Sequence, residues 1–316
     1  MKYVPPIGAA DGAPYVDANP AAGIEGSLVP AAAIEHPQRE IMNVIQEAGL
    51  DPDGNDLTQL AAAIAKLIDE ALVNHLAVQG QCRLEKSGAN LVLKRCNGNT
   101  LFIDGAVYVI PEEGVTLPPT GLTPDTTYNI YAYMDSGVMK LEAAPIAAVD
   151  DSTYGHKTKA GDPRRTLVGK GRVIAGPAWV DTDSQRFVLS YFNRRAKPIV
   201  GASTNGQTTT STSPVELTTA ARAEFLTWGD EAVSIHLSGR SQNSAAGFSS
   251  MVQVGVDGAG VGVSTQAQSP NPNGPEPQSA GYAVLLAEGY HYITPLGWVS
   301  GNTGTFHVQV HGTIQG

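Results

Sequence analysis

Histidines, cysteines and paired carboxylates are the side chains that could do chemistry in this chain. Of seven histidines, only His307 and His311 have a suggestive spacing. Both lie on a run that alternates as a strand, with Phe306, Val308 and Val310 on one face and His307, Gln309 and His311 on the other. Residues four apart on a strand are ~13 Å apart, too far to share one metal ion. A single chain cannot chelate with both. Three copies of one histidine meeting on a threefold axis could, against the simpler reading of plain surface histidines. No metal and no cofactor is expected.

Cys82 and Cys96 flank a hairpin whose turn lies near Ser87-Gly88-Ala89-Asn90. A three-residue loop would set Cys82 opposite Cys96. A two- or four-residue loop would set Leu84 opposite Leu93 and put the thiols on opposite faces. The second register matches apolar with apolar, so two free thiols are expected.

Catalytic patterns are scarce. There is no G-x-S-x-G, no H-E-x-x-H and no Walker loop. The stretch from Gly255 to Gly262 is glycine-dense, but no helix follows it, so it reads as a strand edge or tight loop. A glycosidase needs two carboxyl groups about 5–9.5 Å apart. The last 114 residues hold seven acids, and only Asp230 and Glu231 adjoin. Binding rather than catalysis is expected.

Aromatic residues point the same way. Trp228, Phe248, Tyr282, Tyr290, Tyr292 and Trp298 concentrate near the C-terminus. Aromatic faces stack on sugar rings, and Asn, Gln, Ser and Arg bond hydroxyl groups. Tyr282 and Tyr292, inside strand patterns, read as core. The candidate receptor-binding residues are Arg240, Asn243, Phe248, Asn271, Asn273, Tyr290 and Trp298. Most fall in two long polar loops, residues 238–250 and 264–280.

Composition bounds the elements that must hold these residues. Of 316 residues only 16% are charged, below the ~25% of ordinary soluble chains. Residues 1–79 carry net −8, residues 80–202 net +3, and residues 203–316 net −5 with no lysine. The basic group Lys157, Lys159, Arg164, Arg165, Lys170 and Arg172 is better read as pairing with acids, in this chain or in the N-terminal segment of another copy, than as a nucleic-acid surface. No apolar run is long enough for a transmembrane helix, and no secretory signal opens the chain.

Five segments follow. Residues 1–28 are Pro- and Gly-rich and read as an extended arm, either a disordered tail, the default for a terminus, or one that orders on a partner. Residues 29–79 read as a helical attachment region. Its first helix spans 31–48 with Pro37 inside or near its start; its second spans 57–78, capped by Asp56 and Gln59. Ile34, Ile41 and Ile45, then Leu57, Leu60, Ile64 and Leu67, form an apolar seam for attachment or self-association. Residues 80–197 read as a middle β domain, 198–213 as a linker, though its Thr-rich run could also serve as an edge strand, and 214–316 as a jelly-roll-like C-terminal sandwich. The fold class is mainly β with a short N-terminal helical hairpin.

Two stretches carry a resemblance. Leu28 to Ile41, with Gly49-Leu50-Asp51-Pro52 and Asn55 to Leu60, resembles the N-terminal region of tail-fibre and related tail proteins of bacteriophages and prophages. Thr126 to Tyr133, Arg165 to Gly169 and Ser190 to Arg194 are similar to a middle domain of those proteins. Together they cover about residues 28–197. The resemblance implies a homotrimeric virion component, assembled in the bacterial cytoplasm. Its N-terminus would bind the tail or baseplate, and its C-terminus a bacterial surface glycan or protein. A purely structural tail or baseplate role, or a polysaccharide depolymerase, are the alternatives. Neither nucleic acid nor membrane insertion is implied.

Overall fold

The computed structural model describes residues 2–75 and 80–316, which fall into two compact units on either side of residue 77. Each unit is built on its own core.

In the N-terminal unit the arm does not trail away. Ile7 N–H donates to the Leu28 carbonyl at 3.0 Å and Ser27 N–H to the Val16 carbonyl at 2.9 Å, so the arm folds back on itself. Tyr3 and Tyr15 meet edge to face at 6.2 Å and each hydroxyl donates to a backbone carbonyl across the loop. Helix α1 spans Ala31–Glu47 with Pro37 inside it, and Gly49 ends it at φ 66°. Helix α2 begins at Gln59 and is described to His75; the expected extension to residue 78 lies outside the described residues. Asp56 accepts from Thr58 N–H at 2.8 Å, while Gln59 bonds Asp53 and Asp51 rather than Asp56, so the expected capping pair is replaced by a turn lock.

Little of the apolar seam is covered. Ile45 is buried, with Ala48 and Ala63; Leu60 and Leu67 are half-buried. Ile34, Ile41, Leu57 and Ile64 are exposed, Leu57 at 95%. A hairpin this short has too little interior to hide both faces.

The second unit is β-stranded apart from one 3-10 turn, Thr219–Ala221. Its middle part packs the sheet Cys82–Ser87, Asn90–Arg95 and Val115–Leu117 against a larger one. The larger sheet is built from Val138–Ala144, Thr127–Asp135, Asp162–Ile174, Lys157–Lys159 and Ala148–Asp150. Leu84 stands opposite Leu93, as apolar matching predicts, across the two-residue turn Gly88-Ala89. Both cysteines are free, and burial pushes the Cys82 thiol up to about 12. Thr166–Gly169 and Gly171–Ile174 belong to one continuous strand, Asp162–Ile174.

The C-terminal part is an eight-stranded jelly roll. We number its strands β1 (Ala196–Val200), β2 (Ala223–Thr227), β3 (Ala232–Asn243), β4 (Ser249–Val256), β5 (Ala259–Gln268), β6 (Glu276–Leu285), β7 (Gly289–Val299) and β8 (Gly304–Gln315). One sheet runs β2-β7-β4-β5, the other β1-β8-β3-β6. Successive connections therefore alternate between the two ends of the sandwich. Inward side chains follow the two-residue period: Val233, Ile235 and Leu237 face Val252, Val254 and Ile293.

Two expectations are corrected here. The polar stretch 198–213 is not a linker. It begins inside β1, and Gln207–Thr209 pairs with β8 as an edge strand. Thr204 is buried, bonding the Phe306 carbonyl and the Val308 N–H. The middle and C-terminal parts also share one core, in which Tyr131, Leu167, Phe187 and Leu189 join Ile199, Phe225 and Val310. Composition misled because a thin edge strand needs no apolar pattern of its own.

The seam is locked by charge. The Lys197 ammonium, 7% exposed, donates to the Asp181 carboxylate at 3.0 Å and the Val188 carbonyl at 2.8 Å. Arg186 approaches the same carboxylate at 3.6 Å. Asp181→Ala would leave the buried Lys197 ammonium without an anion, while Arg186 keeps Asp183. It is expected to cost about 3 kcal/mol in chemical denaturation.

Candidate recognition site

Three short loops, residues 244–248, 269–275 and 300–303, join β3 to β4, β5 to β6 and β7 to β8 at one end of the jelly roll, beside the longer β1–β2 connection. None of their residues is charged. The broad loops expected from sequence are thus shorter, because 238–243 and 264–268 are strand.

Asn243, the last residue of β3, ties the loops together. Its amide Nδ2 donates to the Gly301 carbonyl at 2.9 Å, and its Oδ1 accepts from Ala245 N–H at 3.1 Å. Its backbone N–H donates to Ser269 Oγ and its carbonyl accepts from Asn273 N–H, both at 2.8 Å. Asn243 is fully buried, so it braces the site rather than touching a ligand. Phe248, 37% exposed, lies against Gly301, where a Cβ would come within 2.8 Å of its ring. Asn273 and Asn302 adopt left-handed backbone at φ 58° and 60°, which asparagine tolerates. Asn271, Asn273 and Asn302 are exposed. The result is a braced platform of amides and hydroxyls around one aromatic ring.

The other candidates lie elsewhere. Trp298 is half-buried, opposite Met251 and two residues before the 300–303 loop. Arg240 is not in a loop but exposed on β3, opposite His307. Tyr290 sits at the far end of β7, ~26 Å from Trp298 along the strand. Its hydroxyl bonds Glu224, and Arg172 lies 4.5 Å from its ring. Tyr292 is half-buried under Arg222, at 4.0 Å. Tyr282 is not core; it is 39% exposed on β6, beside Gly262. His311 stacks on His236 across β8 and β3 at 5.7 Å, well away from His307 along the strand. Among the described residues no three metal-binding side chains converge, and no helix is long and apolar enough to cross a membrane.

Sequence reasoning missed a cleft at the opposite end. There the turn after β2 and the turn before β7 meet the middle sheet around a cavity of about 520 Å³. Lys157, Lys170, Tyr191, Arg194, Trp228, Asp230 and Glu288 line it. Lys170 projects there because its neighbours are glycines. A Cβ at Gly169 would strike the Leu84 side chain and one at Gly171 the Trp179 ring, so that face of the strand packs tightly and Lys170 takes the other. Lys170 pairs with Glu288 and lies 4.7 Å from the Trp228 ring. Burial pulls its ammonium below the usual lysine range. Arg194 stands 5.1 Å from the same ring and 2.7 Å from the Asp230 carboxylate. A lysine between two strand glycines was the available signal. The whole basic group does pair with acids, all of them within this unit.

No protein-family model and no curated protein matches this chain. Among solved structures it is similar to the Bacillus thuringiensis insecticidal delta-endotoxin Cry8Ea1, at 9% identity over 75% of this chain and TM-score 0.27. That match spans about half of the toxin chain, 51%. It is similar also to infectious bursal disease virus, Gx strain, at 12% identity over 75% of this chain and 68% of the viral one, with TM-score 0.27. The VP2 subviral particle of that virus matches at 12% identity, 60% and 52% coverage and TM-score 0.27. Superpositions this slight carry no argument about function.

Asn243→Ala removes two side-chain bonds that link the loops. It is expected to cost about 2 kcal/mol and to speed amide exchange across 244–248 and 300–303 while the strand centres stay protected. Glu231, beside the cleft, is 9% exposed, and burial raises its carboxyl above the usual range. An acid with a raised folded pKa binds more protons in the native state. Stability therefore falls as pH rises from the ordinary carboxylate range through the raised value. Glu231→Gln should raise Tm at pH 7 by about 2–4 °C and lose that gain in mild acid.

Proposed function

We propose that this chain is a homotrimeric bacteriophage tail protein that binds a bacterial surface glycan through the far end of its jelly roll, without catalysis. The carrying observation is the braced, uncharged loop platform around Phe248. A carbohydrate surface needs fixed amides and hydroxyls beside an aromatic face, and Asn243 fixes them. Its position supports the same reading. Strand β3 separates the platform from the turns against the middle sheet by roughly 36 Å, so the loops lie at the opposite end of the jelly roll from the middle part, which holds residues similar to a middle domain of tail-fibre proteins.

The N-terminal unit supports attachment and self-association. Exposed Ile34, Ile41, Ile64 and Leu57 need a covering surface. So do Ile7, Val16 and Leu28 on the arm. Tail or baseplate protein and sister copies are the partners the resemblance implies, and the virion is the location.

Two measurements test this. Sedimentation of the full chain is expected near three times the 33.0 kDa of one copy, with Ile41→Asp shifting it toward the monomer. On an array of bacterial lipopolysaccharides and capsular polysaccharides, the full chain is expected to select a few. Phe248→Ala should weaken those signals about tenfold, the value of one aromatic contact, at unchanged Tm. A stable monomer, or selection indifferent to Phe248, would refute the corresponding half of the proposal.

A further inference from the structure

We propose that the cleft beside Lys170 is a second binding site, for a carboxylate-bearing sugar such as a uronate. It does not rest on the reading of the distal loops.

The argument starts from how the charges are placed. In each of three ion pairs the cation is the less exposed partner and the acid the more exposed. Lys170 is 4% exposed and Glu288 54%; Arg194 is 23% and Asp230 60%; Lys157 is 35% and Asp150 69%. The cations belong to the wall, and the acids to a solvated rim. An ion pair with one partner in water is worth little. An incoming carboxylate can therefore displace a rim acid without leaving the wall cation unpaired.

The lining selects the ligand further. Lys157, Lys170 and Arg194 face Asp230 and Glu288, with Asp150 on Lys157, so the three pairs balance and an anion enters by displacing a rim acid from its cation. The Arg194 guanidinium presents the planar fork that carboxylates accept. Rim carboxylates, once displaced, accept hydrogen bonds from sugar hydroxyls. The half-buried Tyr191 ring adds an aromatic wall, set edge to face on Trp228 at 5.4 Å. The cavity of about 520 Å³ lies within the ~300–1,000 Å³ common for small-ligand sites.

Calorimetry on the full chain at low ionic strength tests the assignment. Probes are trigalacturonic acid, glucose 1-phosphate and maltotriose. Trigalacturonic acid is expected to bind with Kd of about 1 mM or tighter, more weakly as salt is added, and maltotriose not at all. Lys157→Ala should weaken binding about fivefold, and Asp230→Asn should strengthen it about threefold. A cluster that only holds the fold would give no gain from Asp230→Asn. Phe248→Ala should leave this binding intact, which separates the cleft from the distal platform. The proposal is overturned by absent binding of trigalacturonic acid, by equal binding of maltotriose, or by binding of glucose 1-phosphate alone. It is equally overturned if Asp230→Asn brings no gain or Phe248→Ala abolishes binding.

Discussion

Where the chain passes from the middle sheets into the jelly roll, Lys197 is buried with its ammonium shared between the Asp181 carboxylate and the Val188 carbonyl. A buried ammonium is tolerated only with its partners in place. That requirement fixes β1, and β1 completes the sheet β1-β8-β3-β6. Around this point Leu189, Ile199, Phe225 and Val310 form one apolar core across both parts. The jelly roll is therefore seated on the middle sheet by a specific polar contact inside a continuous core, rather than tethered by a flexible segment.

Much of this was legible from periodicity. The strands β2, β4 and β8 and the hairpin register at Leu84 and Leu93 follow from alternation of apolar residues. What escaped had no such alternation. Strand β5, Ala259–Gln268, is exposed along most of its length: Val261 packs on the core, but Val263 faces solvent and the rest is Gly, Ala, Ser, Thr and Gln. Residues 238–243 continue β3 with a buried row that includes Ser241 and Asn243. Their polar atoms are satisfied by other side chains and loops, as in the bond from Gln278 Nε2 to Ser241 Oγ at 2.8 Å. Polar residues inside a sheet imitate a loop in sequence, because composition registers the side chain and not its partner.

The candidate site was half legible for the same reason. Phe248, Asn271 and Asn273 do lie together, and the polar aromatic pattern marked them. Asn243 carried the same signal but is a brace, since an asparagine that bonds loops and one that bonds sugar have identical chemistry. Arg240 and Tyr290 were displaced by strand geometry. The first faces out from β3 and the second lies a strand's length away. Lys170 was hidden in a basic cluster, and only its flanking glycines distinguished it.

The scarcity of charge near the C-terminus takes on direction once the topology is known. Connections alternate between the two ends, so each turn belongs to one end by its order in the chain. Asp230, Glu231, Asp257 and Glu288 all fall in turns at the end that meets the middle sheet. Arg194 and Lys170 there pair with Asp230 and Glu288, and His291 hydrogen-bonds Asp257. The three short distal loops hold no charge; Glu276 stands at their margin as the first residue of β6, and the longer β1–β2 connection at that end carries only Glu216 and Arg222, paired with each other. Charge in this domain thus sits where the fold can pair it. A platform meant for neutral hydroxyls gains from its absence there, because an unpaired carboxylate or ammonium holds water that a sugar would have to strip away. The same alternation that closes the sandwich therefore segregates a paired, ionic end from an uncharged, amide-rich one.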